Sequence, residues 1–196
     1  MTALILLQHV NRVLGILFMV CYFYQFLYIP VALAIRRKKN PPAKKLHRYA
    51  VLISARNEEA VIGQLLDSIA RQDYPTDLVT TFVVADNCTD STAQVARNAG
   101  AVVFERFNKL RVGKGYALDF LLDQIKEQYG PEWFDGYFVF DADNLLQRDY
   151  ITRMNEVFDQ GCAIVTSYRN SKNYGDNWIS ARVKSRKLYV FSFHSS

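Results

Sequence analysis

From Val13 to Ile35 the chain reads VLGILFMVCYFYQFLYIPVALAI, with Gln25 as its one strongly polar residue. About 20 consecutive apolar residues suffice to cross a bilayer as a helix. The run predicts a transmembrane helix over residues 13–35 after a short N-terminal segment, 1–12, with Tyr22, Tyr24 and Tyr28 suited to an interface. A basic linker, residues 36–47, follows, stiffened by Asn40-Pro41-Pro42-Ala43-Lys44-Lys45. Then the pattern alternates. Tyr49–Ala55 (YAVLISA) reads as a buried strand, and residues 58–71 as a helix with Val61, Leu65, Leu66 and Ile69 at helical spacing, closed by Pro75. Residues 78–85 form a second strand. Asp90-Ser91-Thr92 caps a short helix running to Asn98, with Asp90 as N-cap and Gly100 as terminator. A third strand covers 101–105, a helix 113–128, a fourth strand 137–140, a helix 149–159 and a further strand 162–166. Short alternating β and α units predict an α/β fold: an open, mostly parallel sheet with helices on both faces. Such sheets bind ligands beyond the carboxyl ends of their strands.

Charge refines this picture. The net charge of +5 is unevenly placed. Residues 1–48 hold eight Lys/Arg and no acid, residues 49–181 hold twelve Lys/Arg against all nineteen acids, and residues 182–196 add four Lys/Arg and no acid. The domain proper is acidic, which argues against nucleic acid as a partner. Arg36-Arg37-Lys38-Lys39 directly follows the apolar run. By the positive-inside rule it implies a single-pass protein of the cell membrane with its main domain cytoplasmic. Ala32-Leu33-Ala34 has the form of a signal-peptide cleavage site, but the run exceeds a signal peptide's apolar core and the basic cluster opposes export. Cys21, Cys88 and Cys162 form no CxxC or Cys/His pattern and read as free thiols in a reducing compartment. His9, His47 and His194 lie in anchor, linker and tail, which disfavours a His-based metal site or triad in the domain.

Three strand ends carry chemistry: Ser54-Ala55-Arg56-Asn57-Glu58-Glu59, Asp86-Asn87-Cys88-Thr89-Asp90 and Asp141-Ala142-Asp143-Asn144. In the expected fold they converge on one crevice. Carboxylates gathered there repel one another unless a cation or hydrogen-bond donors offset them. A hard divalent ion does so and also binds phosphate oxygens. Asp141 and Asp143 thus read as a seat for a metal and a diphosphate. A turn beginning at Asp141 would let the two serve different tasks. By itself Asp-Ala-Asp-Asn is equally a turn followed by a helix cap. Gly113-Lys114-Gly115 opens a helix where backbone N–H groups and an ammonium suit an anion, or where a flexible helix start is all that is needed. It is neither a P-loop nor GxGxxG.

Together these residues resemble glycosyltransferase family 2, membrane-anchored enzymes with a GT-A domain. The resemblance runs through Ile53-Ser54-Ala55-Arg56-Asn57-Glu58-Glu59, Val84 to Thr92, Lys114-Gly115-Tyr116-Ala117-Leu118 and Phe140-Asp141-Ala142-Asp143-Asn144. It implies a GT-A-type, Rossmann-like, mostly parallel sheet preceded by one transmembrane helix. It also implies a nucleotide-sugar donor, usually a UDP-sugar, with Mg2+ or Mn2+. By resemblance, Ala55 and Glu58 line the nucleoside pocket, Asp86 hydrogen-bonds the base and Lys114 lies near the nucleotide. Asp141 and Asp143 form the family's DxD: Asp143 is the leading metal ligand, and Asp141 is shared between metal and donor. The implied acceptor is a glycan or lipid, such as a cell-envelope polysaccharide or glycolipid.

The family also implies an acceptor-binding second half, an acidic general base and often a Q-x-x-R-W motif, none of which the sequence displays. Residues 170–181 resemble the family's loop toward the acceptor, whereas residues 182–196 (RVKSRKLYVFSFHSS) do not resemble it. The expectation is an incomplete GT-A domain at 48–181 and an atypical basic tail at 182–196, in a truncated or frameshifted product without its catalytic base. The alternative is a short form whose tail touches anionic lipid. Two rival functions stand beside this reading. One is a phosphatase of the haloacid dehalogenase type, disfavoured by Leu145 where Thr or Val is usual and by a motif on the fourth strand rather than the first. The other is a non-catalytic, membrane-tethered donor-binding module with an exposed apolar patch.

Overall fold

The computed structural model describes residues 2–34 and 40–167 and the backbone of 188–191. The basic cluster at 36–39, the loop at 170–181 and the rest of the tail lie outside the described residues. The chain forms two compact units, Met1–Lys39 and Asn40–Ser196. In the first, helix α1 spans Thr2–Ala34. Its segment Leu4–Val31, 28 residues, is long and apolar enough to cross a membrane, and none of it is buried. At 1.5 Å per residue it measures about 42 Å, against a hydrocarbon core of about 30 Å. The helix begins well ahead of Val13. Gln8, His9, Asn11 and Arg12 end the apolar run but none of them breaks the backbone ladder.

The second unit runs β1 (Tyr49–Ala55), α2 (Ile62–Ala70), a 3-10 turn (Thr76–Leu78), β2 (Val79–Asp86), α3 (Thr92–Asn98), β3 (Val102–Arg106), α4 (Lys114–Tyr129), β4 (Gly136–Asp141), α5 (Tyr150–Phe158), β5 (Ile164–Ser167) and β6 (Leu188–Phe191). The strands form one sheet in the order β3-β2-β1-β4-β6-β5. Strands β3, β2, β1 and β4 are parallel, while β6 runs antiparallel to both β4 and β5. Successive side chains of a strand face opposite sides, and β1 shows it. Tyr49, Val51, Ile53 and Ala55 pack with Ile62, Leu65, Leu66 and Ile69 of α2 and with Ile151 and Met154 of α5. Ala50 and Leu52 pack the other way, with Ala117, Leu121 and Ile125 of α4. From β1 the chain winds outward to β3, then returns to place β4 on the other side of β1. That reversal opens a crevice beyond the carboxyl ends of β1, β2 and β4. The architecture is the expected α/β one, a mostly parallel sheet with helices on both faces.

Strand β6 was not expected. LYVF is a four-residue apolar run in a basic tail, and only its partners on either side, β4 and β5, make it a strand. Helix α2 starts at Ile62 rather than Glu58, because Val61 and Ile62 both donate to the Glu58 carbonyl, at 3.1 and 3.0 Å, in a preceding turn. Gly136 opens β4 where a Cβ would stand 2.9 Å from the ring of the fully buried Tyr49.

Lys44 to His47, expected as linker, are bolted to the amino-terminal edge of the sheet. The Lys44 N–H donates to Asp159 Oδ2 (2.6 Å), and His47 Nε2 lies 3.1 Å from Asp159 Oδ1. Lys45 Nζ and the Arg48 N–H donate to the two oxygens of Asp135, at 3.0 and 2.8 Å. At the centre sits Asn155, 1% exposed. Its Oδ1 accepts from the His47 N–H, Tyr49 OH and Tyr74 OH, and its Nδ2 donates to the Lys45 carbonyl.

This lock makes the fold sensitive to acid. Burial pulls the Asp135 carboxyl up, but the Arg48 N–H and the Lys45 ammonium outweigh it and hold the group below the usual carboxylate range. For Asp159 the Lys44 N–H is the largest influence, and it likewise lies low despite some burial. Groups whose folded values are depressed stabilise fully above the unfolded value, about pH 4, and lose that contribution as pH falls through the folded values. The melting temperature is therefore expected to hold from pH 7 to about 5 and to drop below about pH 4. The double variant Asp135→Asn/Asp159→Asn should show a shallower acid limb; the same slope in both proteins would contradict the assignment.

Candidate functional site

Two asparagines shape the first two strand ends. Asn57, just after β1, and Asn87, just after β2, both have left-handed backbones, with φ of 55° and 54°. Asparagine tolerates that region better than other non-glycine residues. Asn57 Oδ1 accepts the Thr89 N–H at 2.8 Å and so ties one loop to the other. Asp90 adds to the seam: Oδ1 accepts from the Thr92 N–H and hydroxyl (3.1 and 2.6 Å), and Oδ2 accepts the Glu59 N–H (3.2 Å). It caps α3 from one position before Ser91, the residue at the geometric N-cap. The Glu58 N–H donates to the Thr92 hydroxyl at 2.8 Å, which fixes that residue at the mouth of the crevice.

Register aligns the candidate residues. Ala55 pairs with Ala85, the neighbour of Asp86, and Ser54 pairs with Asp141. Ala55, Asp86 and Asp141 thus stand along one carboxyl edge. Asp86 is 4% exposed and pairs across the ladder with Arg106, itself 8% exposed. Arg106 Nη1 lies 2.6 Å from Asp86 Oδ1, and Arg106 Nη2 donates to the Arg111 carbonyl at 2.7 Å. Asn108 closes the intervening loop: its Oδ1 accepts the N–H groups of Leu110 and Arg111, and its own N–H donates to Asn87 Oδ1. The sequence reading passed over Arg106 and Asn108. An arginine closing the strand VVFER at the carboxyl edge was the available signal.

The chain enters α4 through Gly113, whose φ of 131° suits only glycine, so Lys114 becomes the first helical residue. Its ammonium forms an ion pair with Asp141 Oδ1, both side chains being about half exposed. Strand β4 ends at Asp141, and the Asn144 N–H returns to the Asp141 carbonyl at 3.0 Å. The Asp-Ala-Asp segment is therefore a turn, with Ala142 buried and Asp143 exposed. Among the described residues no three His, Cys, Asp or Glu side chains gather as a metal cage. The turn offers the Asp141 carboxylate, paired with the Lys114 ammonium, and two residues on the exposed carboxylate of Asp143. Mg2+ and ions like it are commonly held by one or two carboxylates plus the phosphates of a substrate. The donor set fits a cation that arrives with a diphosphate, and does not fit a stand-alone metal site.

Asn144 is anomalous. It is 5% exposed, and among the described residues neither its Nδ2 nor its Oδ1 has a hydrogen-bond partner. A buried polar group left so costs about 1–3 kcal/mol. Asn144→Leu, similar in size and free of polar atoms, is expected to raise the melting temperature by a few degrees, equivalent to about 1 kcal/mol. A drop in melting temperature would show that the amide is satisfied in solution.

A family model described as Glycosyltransferase like family 2 matches residues 47–193. The chain belongs to that family. The match runs past Ala181 and takes in β6, within the stretch whose sequence had not resembled the family. A family relative, the 4,4'-diaponeurosporenoate glycosyltransferase of Staphylococcus aureus, is 42% identical over 78 residues, which are 38% of this chain and 20% of that protein. Among solved structures, a mannosyltransferase of Pyrobaculum calidifontis in complex with GDP-Man and Mn2+ superposes with a TM-score of 0.64 at 21% identity. It covers 90% of this chain and 54% of the other. TarS 1-349 of S. aureus gives a TM-score of 0.56 at 18% identity over 74% of this chain and 47% of that one. These likenesses establish a shared glycosyltransferase fold. The chain spans a fifth of the curated relative's length and about half of each structural neighbour.

Proposed function

We propose that this chain binds a nucleotide-sugar donor, a UDP-sugar, together with Mg2+ or Mn2+, at the carboxyl edge of β1, β2 and β4. The transfer it serves is to a cell-envelope polysaccharide or glycolipid. The observation that carries the reading is the alignment of Ala55, Asp86 and Asp141 on one edge, with Lys114 brought to Asp141 by the start of α4. Two neighbours of this fold lend support through their contents: GDP-Man with Mn2+ in one, and UDP or UDP-GlcNAc in TarS.

In this reading Ala55 and Glu58 bound the nucleoside pocket and Asp86 accepts a hydrogen bond from the base. Lys114 exchanges its bond to Asp141 for a phosphate oxygen, a swap of one charge-assisted bond for another. Asp141 would then be free of the ammonium to face the sugar, and Asp141 and Asp143 would together hold the cation. When bound, the divalent ion would offset charge on the diphosphate leaving group. No residue of this chain is assigned as the base that deprotonates the acceptor.

Titration of the full chain in detergent with UDP and with uridine tests the reading. Lys114→Met should weaken UDP binding by about tenfold and leave uridine binding unchanged, because the ammonium serves the diphosphate. Equal losses for both ligands, or no UDP binding by the unaltered chain, would refute it.

A further inference from the structure

Among the described residues, Asp86 and Arg106 are the two buried charged side chains. Burying an ion pair is costly, and apolar residues of similar volume often stabilise a fold as well or better. The pair therefore calls for an account other than stability. Its geometry is one-sided. Arg106 Nη1 and Asn87 Nδ2 both donate to Asp86 Oδ1, at 2.6 and 3.1 Å, and among the described residues no hydrogen bond reaches Oδ2. Arg106 is held in turn by the ladder opposite Asp86 and by the Arg111 carbonyl, 2.7 Å from Nη2.

We propose that Arg106 is a positioning residue for nucleobase recognition: by clamping Oδ1 of Asp86 it presents Oδ2, as a fixed and charged acceptor, to a ring N–H of the donor's base. The inference rests on the donor-site reading above. An ionised carboxylate only accepts hydrogen bonds. The base it reads must bring an N–H to Oδ2, as uracil does at N3. Without the guanidinium, Asp86 would be a buried carboxylate with no opposite charge, and such a group becomes neutral or moves toward water. Either change removes the acceptor from its place. Lysine at 106 would keep the charge, although it lacks the second N–H arm that reaches the Arg111 carbonyl.

The test is a comparison of UDP with its N3-methyl analogue, which lacks the ring N–H, binding to the full chain in detergent with Mn2+. The unaltered chain should prefer UDP by on the order of 100-fold, the loss expected when a hydrogen bond to a charged acceptor goes unmade. Arg106→Met should weaken UDP binding, bring the ratio to within about threefold of unity, and scarcely change binding of the analogue. Arg106→Lys should recover most of the ratio. A merely structural role would weaken both ligands alike and keep the ratio, and that result overturns the proposal. If Arg106→Met does not fold, Arg106→Gln is read the same way. Equal binding of both nucleotides by the unaltered chain also overturns it, whereas no binding of either refutes the donor-site reading itself.

Discussion

Replacing Asp143 with alanine is expected to lower the Mn2+-supported affinity for UDP by on the order of 100-fold and to leave the melting temperature unchanged. The two halves of that expectation come from different features. Asp143 is exposed on a turn that the Asn144 N–H closes onto the Asp141 carbonyl, and exposed substitutions usually shift stability by no more than about 0.5 kcal/mol. In the reading proposed above the cation would be held by Asp141 and Asp143, and Asp141 is also paired with Lys114. Removing even an outer partner of a metal ligand costs 10–100-fold in typical sites, so loss of a ligand should reach the top of that range. In a chelator the variant and the unaltered chain should bind UDP equally. Asp143→Glu should fall between them. Equal affinities in Mn2+ would remove Asp143 from the cation site.

The largest stability effect is expected at the opposite edge of the sheet. Asn155→Ala should cost about 3–5 kcal/mol, read by urea unfolding of the full chain. The side chain accepts three hydrogen bonds, from His47, Tyr49 and Tyr74, and donates one to Lys45. Tyr49 is fully buried, and its hydroxyl would be left without its Asn155 partner. Each orphaned buried group costs about 1–3 kcal/mol, a large part of a typical total of 5–15 kcal/mol. Asn155→Asp keeps the acceptors and loses the donor to Lys45, so an intermediate loss is expected. A loss below about 1 kcal/mol for the alanine variant would mean that water replaces the asparagine.

What the sequence made legible follows from locality. Tyr49–Ala55 was read to the residue, because its apolar run is bounded by polar signals at both ends. The other parallel strands and their helices were read to within a residue or so at most ends, since each carries its own period. Features set by distant partners were not legible. Strand β6 exists because β4 and β5 flank it. The Asn155 lock joins residues more than a hundred positions apart, so neither His47 nor Asn155 stood out. The candidate site was legible as three acidic strand ends, because an open parallel sheet gathers such ends on one edge. Arg106 escaped notice because an arginine at a strand end usually faces solvent, and only the cross-strand pairing with Asp86 reveals that it is buried. The left-handed backbones of Asn57 and Asn87 were hidden for a similar reason, since each is held by hydrogen bonds to a neighbouring loop.

The central claim is that the carboxyl edge of β1, β2 and β4 holds a nucleoside diphosphate with a divalent cation. Calorimetric titration of the full chain with UDP, once in Mn2+ and once in a chelator, tests it most directly. The account predicts one saturable site per chain whose affinity rises by on the order of 100-fold in Mn2+. No saturable binding, or the same affinity with and without the cation, would contradict it.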